Sequence, residues 1–467
     1  MTELERARDL VCASDVTIVG GGVAGLATGL LFSARGITAA ILERYPDPRL
    51  STRRPAQSIN LALSHRGLRT LETIGSLDEM RDRMVPMYGR MVHGPASDSF
   101  QPYDGETGSA IYSVRRDEIV NVLLRQAGGS ERARICFRCA CGSIDLRAKT
   151  LLLEDPATGQ KLEASFQRLI GADGCHSIVR QAIVRETGAE DSVQCLDHGF
   201  KELELGPEIA SRLQPDRNAL HIWPGGEFML IALPNPGGSF TATLFMPRSG
   251  PESFEALGDR PVDKFLRRYL PRHAELIPAL SESFASNAVG RLITVSATPW
   301  HFGDAALILG DAAHAMTPFF GQGMNCALED CRLLLEYFDR QGGDWSAVFG
   351  GFESTRGPDT NAISLLSMNN YVEMRRSVIE GHYLRKREIN GILKLRHPDR
   401  FLPLYPMVAL TSIPYSEALR RHLIQDEIVE RLCALGDPID LELADREIAE
   451  RLTPLPTAAG LRNCVTV

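Results

Sequence analysis

The stretch from Ala306 to Asn325 holds the densest set of residues able to do chemistry. An apolar run, Ala306-Leu307-Ile308-Leu309, ends at Gly310-Asp311. A turn carrying Pro318, Gly321 and Gly323 then leads into Met324-Asn325-Cys326-Ala327-Leu328-Glu329-Asp330, which reads as the start of a helix. A carboxylate at a strand end can accept from the hydroxyls of a polyol. Free N–H groups at a helix start, at the positive end of its dipole, favour an anion. The side chain of Gln322 and the N–H groups of Gly321 and Gly323 are expected to face that anion. His314 reads as a structural hydrogen-bonding residue within the turn rather than an acid or base.

A second set lies near the N-terminus. Val16-Thr17-Ile18-Val19 has the composition of a buried strand. Gly20-Gly21-Gly22-Val23-Ala24-Gly25 follows and fits G-x-G-x-x-G. Gly20 permits the tight turn, Gly22 lets backbone approach a pyrophosphate, and Gly25 lets the next helix pack close to the strand. That helix is expected over Leu26 to Ala34. A second strand, Thr38 to Leu42, delivers Glu43, an acid able to bond ribose hydroxyls, eighteen residues beyond Gly25. These elements specify a dinucleotide without choosing between FAD and NAD. The Gly310-Asp311 turn favours a flavin, because its acid would meet a ribityl hydroxyl.

A third set, Leu169-Ile170-Gly171-Ala172-Asp173-Gly174, is another strand ending in glycine and an acid. The three sets together resemble the signature of flavoprotein aromatic hydroxylases. In that family the Asp-Gly element is associated with both FAD and NADPH, and one Rossmann-type unit binds FAD with no second fold for NADPH. The chain agrees in carrying a single G-x-G-x-x-G.

These motifs need elements to hold them. With 467 residues, 44% hydrophobic and 24% charged, the chain suits two or three soluble domains. Net charge is −8 with no basic block, which argues against nucleic acid and anionic membranes. Met1 to Asp9 is charged and does not read as a signal peptide. No apolar run reaches the roughly 18–20 residues that a span requires. Ten cysteines are too sparse for a disulfide framework. Cys136-x-x-Cys139-x-Cys141 has no partner pair at metal-site spacing and falls on an expected strand, so it reads as reduced thiols with no metal.

The expected fold is α/β: a Rossmann-like FAD-binding domain of the glutathione-reductase type, an antiparallel β-sheet substrate domain and a C-terminal helical region. The FAD domain is discontinuous, over 1–72, 108–189 and 297–350. The substrate domain takes 73–107 and 190–296, with strands at Leu220–Trp223, Phe228–Leu233 and Phe240–Phe245 and a break at Pro234 to Gly238. Residues 351–467 are helical, with periods over Ile363–Val378, Tyr383–Leu395 and Ser416–Leu435. In the last, Leu419, Leu423, Ile424, Ile428 and Leu432 form the expected packed face.

Further motifs narrow the resemblance: Ser58 to Gly67, Gly89-Arg90-Met91-Val92-His93, His198 to Leu203, Ala219 to Pro224 and Asn370 to Met374. They resemble the kynurenine 3-monooxygenase family, from about residue 14 to residue 430. The resemblance implies NADPH- and O2-dependent 3-hydroxylation of L-kynurenine through a C4a-hydroperoxyflavin. It implies that Arg90 takes the α-carboxylate, assisted by Tyr103 and Tyr405, that Asn370 holds the amino-acid head, and that Phe240 and Phe319 line the ring slot. Gln322 completes the reacting set. Arg116 is placed at the flavin phosphate side. The cofactor set is Gly20, Gly22, Val23, Ala24, Gly25, Glu43, Arg44, Arg116, Asp173, Asp311, Gly321, Gly323, Met324 and Asn325.

Two positions depart from the family pattern: Phe200 stands where some bacterial members carry Tyr, and Phe320 where some carry His. Both leave room for a substituted kynurenine or another aromatic acid in a biosynthetic pathway. A soluble tail in place of a membrane-anchoring segment predicts a cytoplasmic enzyme, a monomer or homodimer, with a small aromatic amino acid as its partner. A phenolic-acid hydroxylase would share the cofactor motifs but not Arg90, Asn370 and Tyr405. A flavin halogenase would need W-x-W-x-I-P, which is missing. A flavin-binding redox sensor without turnover would have no use for the polar pocket.

Overall fold

Strands buried on both faces read as unbroken apolar runs, and Val16–Val19 and Ala39–Leu42 are buried at every position. In the computed structural model, which describes residues 2–50, 60–104, 109–211, 217–258, 262–375 and 377–456, they lie in a six-stranded sheet. Its order is His301–Phe302, Ala306–Ile308, Leu169–Gly171, Val16–Val19, Ala39–Leu42 and Ala133–Cys136. All pairs are parallel except the first. The strands that end in the three chemical turns are therefore neighbours, so the turns leave the same sheet edge side by side. The helix Val23–Ser33 packs against this layer, and Gly323–Arg340 packs on that helix.

A seven-stranded sheet runs Gly290–Ala297, Asp191–Leu205, Phe240–Pro247, Met229–Pro234, Leu220–Pro224, Gly89–His93 and Asp98–Pro102. The expectation of a purely antiparallel sheet is corrected at one place: Leu220–Pro224 pairs parallel with Gly89–His93. The latter strand arrives from far earlier in the chain, so no hairpin could join the two. One face of this sheet buries Phe240, Ala242, Leu244 and Met246 against the helices Asp263–Tyr269 and Ile277–Ser286. The other face looks toward the turns of the first sheet. A smaller sheet, Asn60–Leu63, Ile111–Arg115 and Met84–Met87, bridges the two.

The C-terminal part departs from the expected pattern. One helix, Trp345–Arg375, runs for 31 residues across position 350 and through Pro358. A helix start at Ile363 is therefore incorrect. Gly381–Arg396 and Tyr415–Leu435 follow, and Leu404–Ala409 and Leu441–Arg451 were not anticipated. The buried face of Tyr415–Leu435 is Ala418, Arg421, Gln425, Ile428, Val429 and Leu432. Leu423, expected inside, is 58% exposed. Two polar residues took the inner face because they have partners there: Arg421 donates to the Arg400 and Thr453 carbonyls, and Gln425 accepts from Leu402 N–H. Ser58 and Ile59 of the first family motif, and positions 107 and 108, lie outside the described residues.

Cys136 closes the strand Ala133–Cys136, and the described cysteines are all free. Burial pushes the thiols up, Cys136 to about 11 and Cys139 to about 12.

Two buried histidines make the fold sensitive to acid. Burial, with Arg69 and Arg66 nearby, lowers His65 to about 4, and burial beside His221 and His273 lowers His93 to about 3. The unfolded chain then binds more protons than the folded one from about pH 6.5 downward, so stability falls as pH falls. We expect a loss of about 2 kcal/mol in total between pH 7 and pH 5.5, from a limiting slope of about 1.4 kcal/mol per unit per histidine. Urea midpoints at the two pH values check this; equal midpoints would contradict it.

Candidate active site

Where the sheets face each other, a cavity of about 440 Å³ runs from Gly22, Val23 and Ala24, past Asp311, to Phe319, Gly321, Gly323 and Met324. The glycines show how its first end is shaped. A Cβ on Gly20, whose φ is +106°, would lie 2.3 Å from the Ala172 carbonyl oxygen, and one on Gly25 would lie 1.9 Å from that of Gly20. A Cβ on Gly22 meets nothing within 4 Å. Two glycines are thus forced by close packing, and the third leaves open space beside backbone. That open cradle fits a pyrophosphate. Glu43 follows the second strand, its carboxylate accepting from the N–H groups of Gly21 and Tyr45 at 2.9 Å each. Arg44 is exposed, over the ring of Tyr45. Arg116, at the start of the helix Arg116–Gly128, lines the cavity.

The helix Gly323–Arg340 begins at the cavity, and its N-cap residue Gln322 makes no side-chain capping bond among the described residues. Its first N–H groups are left to the space that a flavin ring would fill. Asp311 begins its own short helix, is exposed and lines the same space.

Three expected residues turn away from the cavity. The side chain of Gln322 is buried, its oxygen accepting from the Tyr415 hydroxyl at 2.9 Å, and the N–H of Gly321, also expected to face an anion, is instead donated to the Pro318 carbonyl at 2.9 Å. Asn325 points back at the strand Asn60–Leu63. Its Nδ2 donates to the carbonyls of Ala62 and Gly321, and its Oδ1 accepts from Ser64 N–H at 2.8 Å. Asp173 receives the N–H of Ile178 at 2.7 Å at the start of the helix Ile178–Thr187, while its other oxygen is buried with no hydrogen-bond partner among the described residues. The adjacent Ala172, Gly174 and Cys175 line the cavity instead.

His314 is structural, but its partner lies outside its own turn. It shares a 2.6 Å hydrogen bond with Asp330 on the helix Gly323–Arg340. Asp330 also accepts from Gly310 N–H at 3.0 Å and pairs with Arg356 at 2.9 Å. Burial opposes the charge, yet His314 and Arg356 hold the Asp330 carboxyl below the usual carboxylate range. Sequence reasoning missed this clamp, and missed Arg180, which ties Cys175, Asp191 and Ala312 together.

At the far end stand Arg90, Tyr103, Asn370 and Tyr405. The two phenol rings stack at 4.6 Å, and the Tyr103 hydroxyl is buried with no hydrogen-bond partner among the described residues. Burial, with Tyr405 beside it, pushes Tyr103 well above its ordinary value, and burial pushes Tyr405 to about 12, so both remain donors. Asn370 donates Nδ2 to the Phe319 carbonyl at 2.6 Å, which leaves its oxygen to accept. Arg90 pairs with Glu373 at 3.2 Å and bonds Gln101 and Tyr383. Burial works against its charge, but Tyr383 and Glu373 outweigh that and hold it above its ordinary range.

Between these ends the wall is apolar. Phe319 lies 3.8 Å from Tyr371 and 5.1 Å from Phe245, centroid to centroid. Phe240 is not in this wall; it packs edge-on to His221 in the core behind the sheet. Side chains alternate along a strand, so residues an odd number apart face opposite ways. Thr243 and Phe245 face the cavity with Phe200, Met229 and Ile231. The alternation was readable in the sequence; which parity faced inward was not.

The family model described as FAD binding domain matches residues 13–338. Kynurenine 3-monooxygenase of Myxococcus xanthus (strain DK1622) is 38% identical over 445 residues, 94% of this chain and 96% of that protein. The protein of the same name from Dictyostelium discoideum is 35% identical over 458 residues, 95% of this chain and 98% of its own. Among solved structures, 2-methyl-3-hydroxypyridine-5-carboxylic acid oxygenase superposes with a TM-score of 0.64 at 21% identity, covering 79% of this chain and 95% of that one. PqsL of P. aeruginosa, in complex with 2-aminobenzoylacetate, gives 0.64 at 20%, covering 78% and 97%. At such identity these structures bear on the fold alone.

Proposed function

The chain belongs to the kynurenine 3-monooxygenase family and contains its FAD binding domain match, and from that premise we propose that it hydroxylates L-kynurenine at ring position 3, using NADPH and O2. The observation that carries the reading is a polar end and an apolar slot in one cavity. A guanidinium, two protonated phenols and an amide oxygen stand at one end, and Phe200, Phe245 and Phe319 stand nearer the Gly321–Met324 turn.

Arg90 offers a planar, permanent charge to the substrate carboxylate. Tyr103 and Tyr405 add neutral donors, so no second charge has to be desolvated. The open oxygen of Asn370 accepts from the substrate ammonium. Fixing the amino-acid head leaves the aromatic ring in the slot, beside the uncapped helix start. Gly20, Gly22, Val23, Ala24, Gly25, Glu43, Arg44 and Arg116 would hold the dinucleotide, with Asp311 on the ribityl chain. FAD, when bound, supplies the activation of O2 with electrons from NADPH. The apolar walls exclude water from the ring. The substrate's aniline nitrogen already donates electron density, so no protein base is required to activate it.

The test is NADPH oxidation by the yellow holoenzyme with and without L-kynurenine, with products identified by mass spectrometry. We expect strong stimulation and a product one oxygen atom heavier. Stimulation yielding peroxide alone would make kynurenine an effector rather than the substrate. Phe200 and Phe320 make two wall positions apolar, which favours ring-substituted kynurenines as a second reading; they belong in the same assay.

The parity of the strand Phe240–Pro247 is separately testable. Phe245→Leu should raise KM roughly 3- to 10-fold, from loss of an aromatic contact worth about 1 kcal/mol. Phe240→Leu should leave KM unchanged and lower stability by up to about 1.5 kcal/mol. The opposite pattern would place Phe240 in the pocket.

A further inference from the structure

A second cavity, of about 630 Å³, lies on the outer side of the polar end. Arg90, Tyr103, Phe320, Asn370 and Tyr405 line both cavities and so form the wall between them. The outer one is bounded by the strand Asp98–Pro102 and by the helices Trp345–Arg375, Gly381–Arg396 and Tyr415–Leu435, with the exposed Asn369 and His382 at its rim.

Its lining carries four cations, Arg90, Lys386, Arg387 and Lys394, and four acids, Asp104, Glu373, Glu380 and Asp426, but they are unevenly paired. Lys394 pairs with Asp104, Lys386 with Asp426 and Glu430, and Arg90 with Glu373. Arg387 has no such acid among the described residues. It donates to neutral oxygens, Gln101 Oε1 and the Pro102 carbonyl, at 2.9 Å each. Gln101 Oε1 also accepts from Arg90 Nε at 3.1 Å. Two guanidiniums therefore converge on one amide oxygen, and only one of them, Arg90, has a carboxylate partner in Glu373. Burial and the charge of Arg90 both lower Arg387 from its ordinary value. A guanidinium in this setting is stabilised by an added anion.

We infer that the outer cavity is an antechamber in which Arg387 takes the carboxylate of the incoming amino acid before Arg90 does. The inference rests on the substrate class proposed above. Arg387 draws the anion in and neutralises it while Arg90 is still paired with Glu373. Passage inward moves the carboxylate from one guanidinium to the next across Gln101, and Glu373 gives up its hold on Arg90. Only ion pairs and hydrogen bonds change, so no covalent step is involved. A cation placed this way raises the rate of arrival more than the final affinity.

The experiment is stopped-flow mixing of the oxidised holoenzyme with L-kynurenine, followed through the flavin spectrum, at several ionic strengths. In Arg387→Gln the association rate constant should fall about tenfold and lose much of its salt dependence. Arg387→Lys, which restores the charge, should recover most of the rate; that recovery separates steering from a packing defect, as does unchanged flavin content. An Arg387→Gln association rate and salt dependence equal to wild type would overturn the antechamber and leave the substrate assignment standing. Failure of the wild-type flavin spectrum to respond to kynurenine at all would overturn the substrate assignment and the antechamber with it.

Discussion

Arg90→Ala raises the apparent KM for L-kynurenine by roughly 10- to 100-fold or more, from loss of charge-assisted bonds worth about 2–3 kcal/mol. The structure adds a condition to this expectation. Arg90 is also the partner of Glu373, Gln101 and Tyr383. Its removal leaves a partly buried carboxylate without its cation, so some loss of stability accompanies the loss of binding. The two are separated by comparing steady-state kinetics with thermal unfolding of the same protein. A Tyr103→Phe variant should show a smaller rise in KM, since it removes one neutral donor, worth about 1 kcal/mol, whose hydroxyl has no other hydrogen bond among the described residues. An unchanged KM in Arg90→Ala would mean that the carboxylate binds elsewhere.

Asp330→Ala costs about 3–5 kcal/mol of stability, the range for removing one member of a buried ion pair. Asp330 is fully buried, and its two oxygens serve Gly310 N–H, His314 and Arg356. Arg356 keeps Glu329 and Asp359 as partners, but the N–H of Gly310 and His314 are left in a dry site with none. Because Gly310 begins the turn that carries Asp311, flavin retention should fall together with stability. Urea unfolding and the flavin-to-protein absorbance ratio measure the two. The pH dependence has a definite sign. A carboxyl held below its unfolded range contributes fully above that range and loses the contribution as pH falls through its folded value, so the variant should lose less stability on acidification than wild type. An unfolding free energy within about 1 kcal/mol of wild type would show that the clamp is dispensable.

The three glycine turns, two of them carrying an acid, the strands before them and the helices after them were readable because each depends on short-range physics. A β-branched run bounded by glycine, an acid at a strand end and a helix start are properties of ten or so consecutive residues. The stretches Val16–Gly25, Leu169–Gly174 and Ala306–Met324 carry that information within themselves. The resemblance then attached chemistry to Arg90, Tyr103, Asn370 and Tyr405, four residues that no local pattern marks out.

What the tertiary structure decided was direction and company. Phe240 and Phe245 sit on one strand, five positions apart, and only the placement of the helices Asp263–Tyr269 and Ile277–Ser286 settles which of them is core. Gln322 and Asn325 belong to the flavin turn by sequence, yet Tyr415 and the strand Asn60–Leu63 claim their side chains. Leu423 lost its expected place because Arg421 and Gln425 found partners on the inner face. The pairing of Arg90 with Glu373 spans 283 positions of chain, and the shared oxygen of Gln101 joins Arg90 to Arg387. Periodicity and turn chemistry are local energies, and the sequence by itself determined those. Which face is buried, and which charge meets which, depends on contacts between segments far apart in the chain, whose relative placement no local window contains.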